Sequence, residues 1–195
     1  EKQKALGLEV MKLLQFDFEH GRLDESVHPF CGGVPSDVRI TTRYDEAEFV
    51  QSLMGIVHET GHARYEQGLP KHLAGQPAGE ARSMGIHESQ SLFFEMQVGR
   101  SDPFIGHLAN LAGQQFSGSE FEQKNFQKIY TRVKKDFIRV DADELTYPAH
   151  VILRYEIERD LINGKIKHTD VPELWNTKMQ SYLGLNTQGN FTNGC

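Results

Sequence analysis

Apolar residues recur at a helical interval from the start of the chain. Leu6, Val10, Leu13, Leu14 and Phe18 fall near one residue in 3.6, which predicts an amphipathic helix over residues 5–20 with Gly21 as its stop. The period then breaks at Pro29, Gly32, Gly33 and Pro35, a loop composition. "VRITTR" at 38–43 alternates and is β-rich, so a short strand is expected beside a mainly helical body. Helical spacing resumes through Phe49, Leu53, Ile56 and Val57, predicting a helix capped by Asp45 and running to Gln67, where Gly68 and Pro70 end it. Further helices are expected at 79–99, although Gly85 costs that one about 1 kcal/mol relative to Ala, and at 103–116, 119–137, 147–163 and 171–183. The expected fold class is mainly α with one or two short β segments, and the expected organisation is a single unit over 1–195.

Composition narrows the classes of function. The chain has 195 residues, 38% of them hydrophobic, which suffices for one domain with a core. No apolar run approaches the roughly 18 residues a spanning helix needs, so no membrane partner is expected. A net charge of −6 with scattered Lys and Arg argues against a nucleic-acid partner, which would call for a basic face or stripe. Cys31 and Cys195 are too few for a disulfide framework, which favours a reducing compartment, taken here as the cytoplasm. Asn190-Phe191-Thr192 matches the glycosylation pattern but is too short a motif to carry weight. The chain opens on Glu1 rather than Met and closes on the loop-like "NTQGNFTNGC", so it is expected to be part of a longer protein.

The candidate chemistry lies in "GIVHETGHARYE", residues 55–66. His58 and His62 are four residues apart, so on a helix both present a ring nitrogen to one ion about 2 Å away. Glu59, next to the first histidine, is poorly placed as a third ligand but well placed to hold and deprotonate a water at that ion. Met54, Ile56 and Val57 make the preceding turn apolar, as a buried helix would be, and Gly61 permits close backbone packing. A third protein ligand is needed, and Glu80 and Glu88 compete for the role. Spacing does not separate them, but Glu88 is flanked by His87, Ser89, Gln90 and Ser91, which can orient a ligand carboxylate, so Glu88 is preferred. His87 points about 100° around the helix from Glu88 and reads as an orienting or surface histidine. His20, His28, His72, His107, His150 and His168 have no partner at ligand spacing.

Five segments together resemble the M32 family of metallocarboxypeptidases: "HPF" (28–30), "DVRITT" (37–42), "HETGH" (58–62), "HESQS" (87–91) and "IRVDAD" (138–143), in the family's order. The similarity continues through "TYPAHVILRYEIERDLINGKI". The resemblance implies a helical, gluzincin-type catalytic domain with HExxH on a helix, zinc or alternatively cobalt on His58, His62 and Glu88, and Glu59 as catalytic base. It implies peptide substrates shortened by one residue at a time from the C-terminus within a long groove, and a homodimer in the full-length form. The family's long N-terminal helical region has no counterpart here, and Gly194-Cys195 looks like the opening of a family motif whose remainder lies beyond the chain. An exopeptidase must grip a terminal carboxylate, which a guanidinium fork matches best, so Arg139 and Arg39 are the substrate-binding candidates and the resemblance favours Arg139. Either arginine could instead pair with Asp37, Asp141 or Asp143. The competing readings are a zinc endopeptidase with the same metal set and a helical domain that binds metal without turnover.

Overall fold

In the computed structural model, residues 1–190 are described, and the chain divides into two compact units, Glu1–Tyr130 and Thr131–Cys195. The first unit is organised around its longest helix, α2 (Phe49–Gln67), which is buried on more than one side. Leu53, Met54 and Val57 pack with Leu6, Val10 and Leu14 of α1 (Lys2–Leu13 and its C-terminal turn), and with Phe104, Ile105 and Leu108 of α4 (Asp102–Gln115). Phe126 and Tyr130 of α5 (Gln123–Tyr130) complete that cluster. Ile56 and Ala63 belong to a second cluster with Met11, Phe16 and the sheet residues Leu23, Val38 and Ile40. Fully burying a side chain such as Ile56 or Ile105 stabilises the fold by about 1.5–3 kcal/mol, so α2 is fixed from both directions.

The sheet has order β1-β3-β2, with β1 (Gly21–Glu25) parallel and β2 (Phe30–Val34) antiparallel to the central β3 (Asp37–Thr42). Three strands form where one or two were expected. Only β3 was located in advance: β1 buries Leu23 alone, and β2 holds Gly32 and Gly33 and is largely exposed, so neither shows a clean alternation. Gly33 adopts φ 108, a conformation that side-chain-bearing residues rarely reach, as the hairpin enters its turn. The first helix also ends sooner than expected. Leu13 is its last residue, Gln15 turns the chain with φ 63, and Phe16, not Phe18, enters the core. At the other end of this turn, Gln67 accepts from the Asp17 N–H at 3.0 Å and donates to its carbonyl at 2.9 Å, tying the end of α2 to β1's approach.

The third helix, α3, covers Met84–Leu92 and not the expected 79–99. Pro77–Gly79 form a 3-10 turn, Glu80 is extended, and Ser83 caps α3 by accepting from the Ile86 N–H at 3.1 Å. Its continuation, Phe93–Val98, winds into a π-helical turn. The helix expected over 119–137 is a 3-10 turn at Ser119–Phe121 followed by α5, which stops at Tyr130. Beyond it the Lys134 N–H goes to the Asp143 carboxylate and the Phe137 N–H to the Asp136 carboxylate, so side chains take donors that a helix would have used.

In the second unit, α6 (Tyr147–Ile162) and α7 (Val171–Lys178), with its π-helical extension Met179–Leu183, follow the expected boundaries. Leu153, Met179 and Leu183 form its buried cluster with Trp175 against them, and Arg154 lies over the Trp175 ring at 4.5 Å. No helix among the described residues is long and apolar enough to cross a membrane. Cys195, Thr192 of the glycosylation pattern and the Gly194-Cys195 motif fragment lie outside the described residues.

Candidate metal centre

The two histidines of "HETGH" stand on α2 as their spacing requires, and α3 brings a carboxylate to them. Glu88 Oε2 lies 3.5 Å from His58 Nε2 and 3.3 Å from His62 Nε2. One donor atom from each of the three residues fits within 4.8 Å of the others, a separation that one ion can span. Glu80 takes no part, being off the helix and outside this cluster. Close approach of α3 to α2 depends on Gly61: a Cβ there would sit 2.7 Å from Ser91 Cα and 2.9 Å from the Gln90 carbonyl oxygen. The glycine between the histidines thus sets the distance at which Glu88 stands.

Each of these three side chains is held from behind. His58 Nδ1 is 2.8 Å from Glu95 Oε2, and Glu95 sits in the π-helical turn after α3. His62 Nδ1 is 2.7 Å from His87 Nδ1, and His87 Nε2 is in turn 2.8 Å from Glu66 Oε1. The Ser91 hydroxyl donates to Glu88 Oε2 at 3.0 Å. With both Nδ1 atoms engaged, both Nε2 atoms remain to face one point, the arrangement characteristic of histidine ligands braced by outer partners. The donor chemistry therefore fits a borderline divalent ion such as zinc.

Sequence reading missed Glu95 and Glu66. Glu95 is seven residues after Glu88 and Glu66 is four after His62, so each lies along the same helical face as a ligand. That spacing was the available signal.

Electrostatics agree with the geometry. Burial opposes charge on His58, but Glu88 and Glu95 outweigh it and raise the imidazole to about 10. Burial likewise pushes Glu88 up, yet His58, His62 and Ser91 bring it well below the usual carboxylate range. Glu59 differs: it is buried at 7% exposure, and burial raises its pKa despite the neighbouring histidines. Its neighbour Thr60 is satisfied inside the helix, donating to the Ile56 carbonyl at 2.7 Å. Cys31 on β2 is a free thiol pushed up to about 12 by burial and by the charges of Glu59 and Glu66, which makes it inert.

The two arginine candidates are placed differently. Arg39, exposed on β3, is occupied by Asp37, with Nη2 to Oδ2 at 2.7 Å and Nε to Oδ2 at 3.1 Å. Arg139 lies in the second unit in a 3-10 turn, donates to the Tyr147 hydroxyl and rests 5.4 Å from that ring's centre. Asp143 is bound by three backbone N–H groups, of Lys134, Leu145 and Thr146, at 2.8, 2.9 and 2.9 Å. It caps the approach to α6 in place of pairing with Arg139.

Comparison with known proteins places the chain in a family. The chain is 55% identical to a solved structure of Trypanosoma cruzi metallocarboxypeptidase 1, with a TM-score of 0.94 over 100% of this chain and 41% of that one. It is 45% identical over 193 residues to carboxypeptidase 1 of Bacillus subtilis, covering 96% of this chain and 38% of that protein. With thermostable carboxypeptidase 1 of Thermus thermophilus it shares 42% identity, over 95% of this chain and 37% of that protein. The chain thus spans about two fifths of the length of the relatives it matches. The family model described as carboxypeptidase Taq (M32) metallopeptidase matches residues 1–195 from end to end, and the chain belongs to that family.

Proposed function

We propose that this chain is the metal-binding part of a zinc-dependent metallocarboxypeptidase that hydrolyses the last peptide bond of a peptide and releases single amino acids. The observation that supports the reading is the convergence of His58 Nε2, His62 Nε2 and Glu88 Oε2, with the buried carboxylate of Glu59 one residue from the first ligand. A divalent ion on those three residues supplies Lewis acidity toward a peptide carbonyl and toward water. Glu59, whose carboxylate lies one residue from the first ligand, removes a proton from the attacking water and passes it to the leaving amine. His87 and Glu95 hold the two imidazoles in register, and Ser91 holds the carboxylate of Glu88. Arg139, following the family resemblance, holds the terminal carboxylate of the substrate, since Arg39 is already committed to Asp37. A reducing cytoplasm and a homodimer of the full-length protein belong to the same proposal, as does the absence of nucleic-acid and membrane partners.

The test is peptide digestion with mass-spectrometric readout, run on this chain and on a version extended at both ends with the regions its relatives possess. Stepwise loss of single C-terminal residues from free-acid peptides, with amidated peptides resistant, is the expected result. Internal cleavage of both kinds of peptide would indicate an endopeptidase. Zinc binding without turnover in the extended protein would leave a metal-binding helical domain.

A further inference from the structure

Behind His62, the contact with His87 continues to Glu66, a side chain that the proposed hydrolysis leaves without a role, so that the three form a continuous line into the site. Glu66, His87 and His62 are linked by contacts of 2.8 and 2.7 Å, and their side chains are only 24%, 16% and 14% exposed. The second contact joins Nδ1 to Nδ1, so one proton must lie between two ring nitrogens. We propose that Glu66 and His87 are positioning residues that fix the tautomer of His62, keeping its proton on Nδ1 and its Nε2 lone pair free for the metal. The proposal rests on the metal-site reading above and extends it.

A carboxylate accepts, so the Glu66 contact places a proton on His87 Nε2. A neutral His87 then has only a lone pair at Nδ1, and the proton in the 2.7 Å contact must come from His62 Nδ1. His62 therefore turns an unprotonated Nε2 toward Glu88, where it would be free to hold an ion. The other arrangement that satisfies Glu66 adds a second proton to His87 and moves the His62 proton to Nε2, where it competes with the ion. His58 reaches the same end by a shorter route, because Glu95 accepts directly from its Nδ1. For His62 the carboxylate sits one turn further along the same helix and acts through a relay, which α3 supplies from the residue before the ligand Glu88.

Zinc affinity, measured by chelator competition on the full 195-residue chain, separates this role from simple packing. His87→Phe fills the ring volume without an acceptor and is expected to weaken zinc binding about 10- to 100-fold. His87→Asn offers an amide oxygen near the position of Nδ1 and should recover most of that loss. Glu66→Gln, which no longer fixes the direction of the relay, should fall between the parent and His87→Phe. In zinc-loaded protein labelled with ¹⁵N-histidine, a scalar coupling across the His62 Nδ1–H···Nδ1 His87 bond, with the proton assigned to His62, is expected. If His87→Phe binds zinc within about twofold of the parent, if Asn does no better than Phe, or if the proton is on His87 Nδ1, the relay is overturned. A parent chain that binds no zinc would instead overturn the metal site itself and this proposal with it.

Discussion

At the scale of single residues, the proposed function separates groups that would hold a metal from one that would move a proton, and the two roles can be tested apart. Glu59→Gln keeps the shape of the side chain and removes its basicity. Turnover in the extended protein should drop by about 10²- to 10⁴-fold while zinc affinity stays near that of the parent. Simultaneous loss of zinc would mean that Glu59 is a ligand. Asp143 gives a residue-level test of a different kind. Burial raises its pKa, but the N–H groups of Lys134, Thr146 and Leu145 outweigh burial and hold it below the usual carboxylate range. A carboxylate depressed in the folded state stabilises fully above its unfolded pKa of about 3.9, and that contribution is lost as pH falls through the folded value. Asp143→Asn should therefore cost about 1–3 kcal/mol at pH 7. The gap between parent and variant, followed by denaturant unfolding, should narrow below about pH 4. The cluster of His58, His62 and Glu88 was legible in the sequence because helical spacing brings the two histidines to one face, and because the polar neighbours of Glu88, where spacing was silent, favoured it over Glu80. Glu95 was not singled out, because its seven-residue spacing from Glu88 is a weak signal that does not say which histidine of another helix will meet it.

At the scale of elements, the approach of α3 to α2 is the controlling dimension. Gly61→Ala would drive a methyl group into the backbone of Ser91 and Gln90 and to 3.0 Å from Phe94 Cβ. Backbone atoms have little room to yield, so the helices must part. A loss of about 1–3 kcal/mol in thermal stability is expected, with weaker zinc binding because Glu88 travels with α3. Unchanged zinc affinity in a destabilised variant would show that the ligand geometry tolerates a wider gap. The helices α2, α6 and α7 could be read from the sequence because apolar spacing, a Gly stop or an early Pro marked them. The strands β1 and β2 could not, since their stabilisation comes from pairing with β3 and not from a pattern of their own. The end of α5 was hidden for a related reason: the acceptor that captures the Lys134 N–H lies nine residues further on.

At the scale of the whole molecule, the proposed metal ligands belong to the first unit and the proposed carboxylate anchor, Arg139, to the second. Zinc should raise the unfolding temperature, because at a free concentration 100 times its dissociation constant a ligand stabilises the folded state by about 2.7 kcal/mol. EDTA should remove the increase, and a His58→Ala variant should show none. For recognition, Arg139→Ala in the extended protein should lower kcat/KM for free-acid peptides by roughly 10- to 150-fold and leave amidated peptides little affected. Equal losses on both would assign Arg139 to the support of Tyr147 instead. The metal centre has one further property. His58 and Glu95 are only 37 positions apart in the chain, and His62 and His87 only 25, so every ligand and every side chain that braces one comes from a single short stretch. The entropy of closing a loop grows only with the logarithm of its length, and contacts of small separation form early in folding. An ion arriving during synthesis can therefore meet its complete ligand set while the later part of the polypeptide is still being made, and can serve as a nucleus for the first unit rather than as a late addition to it.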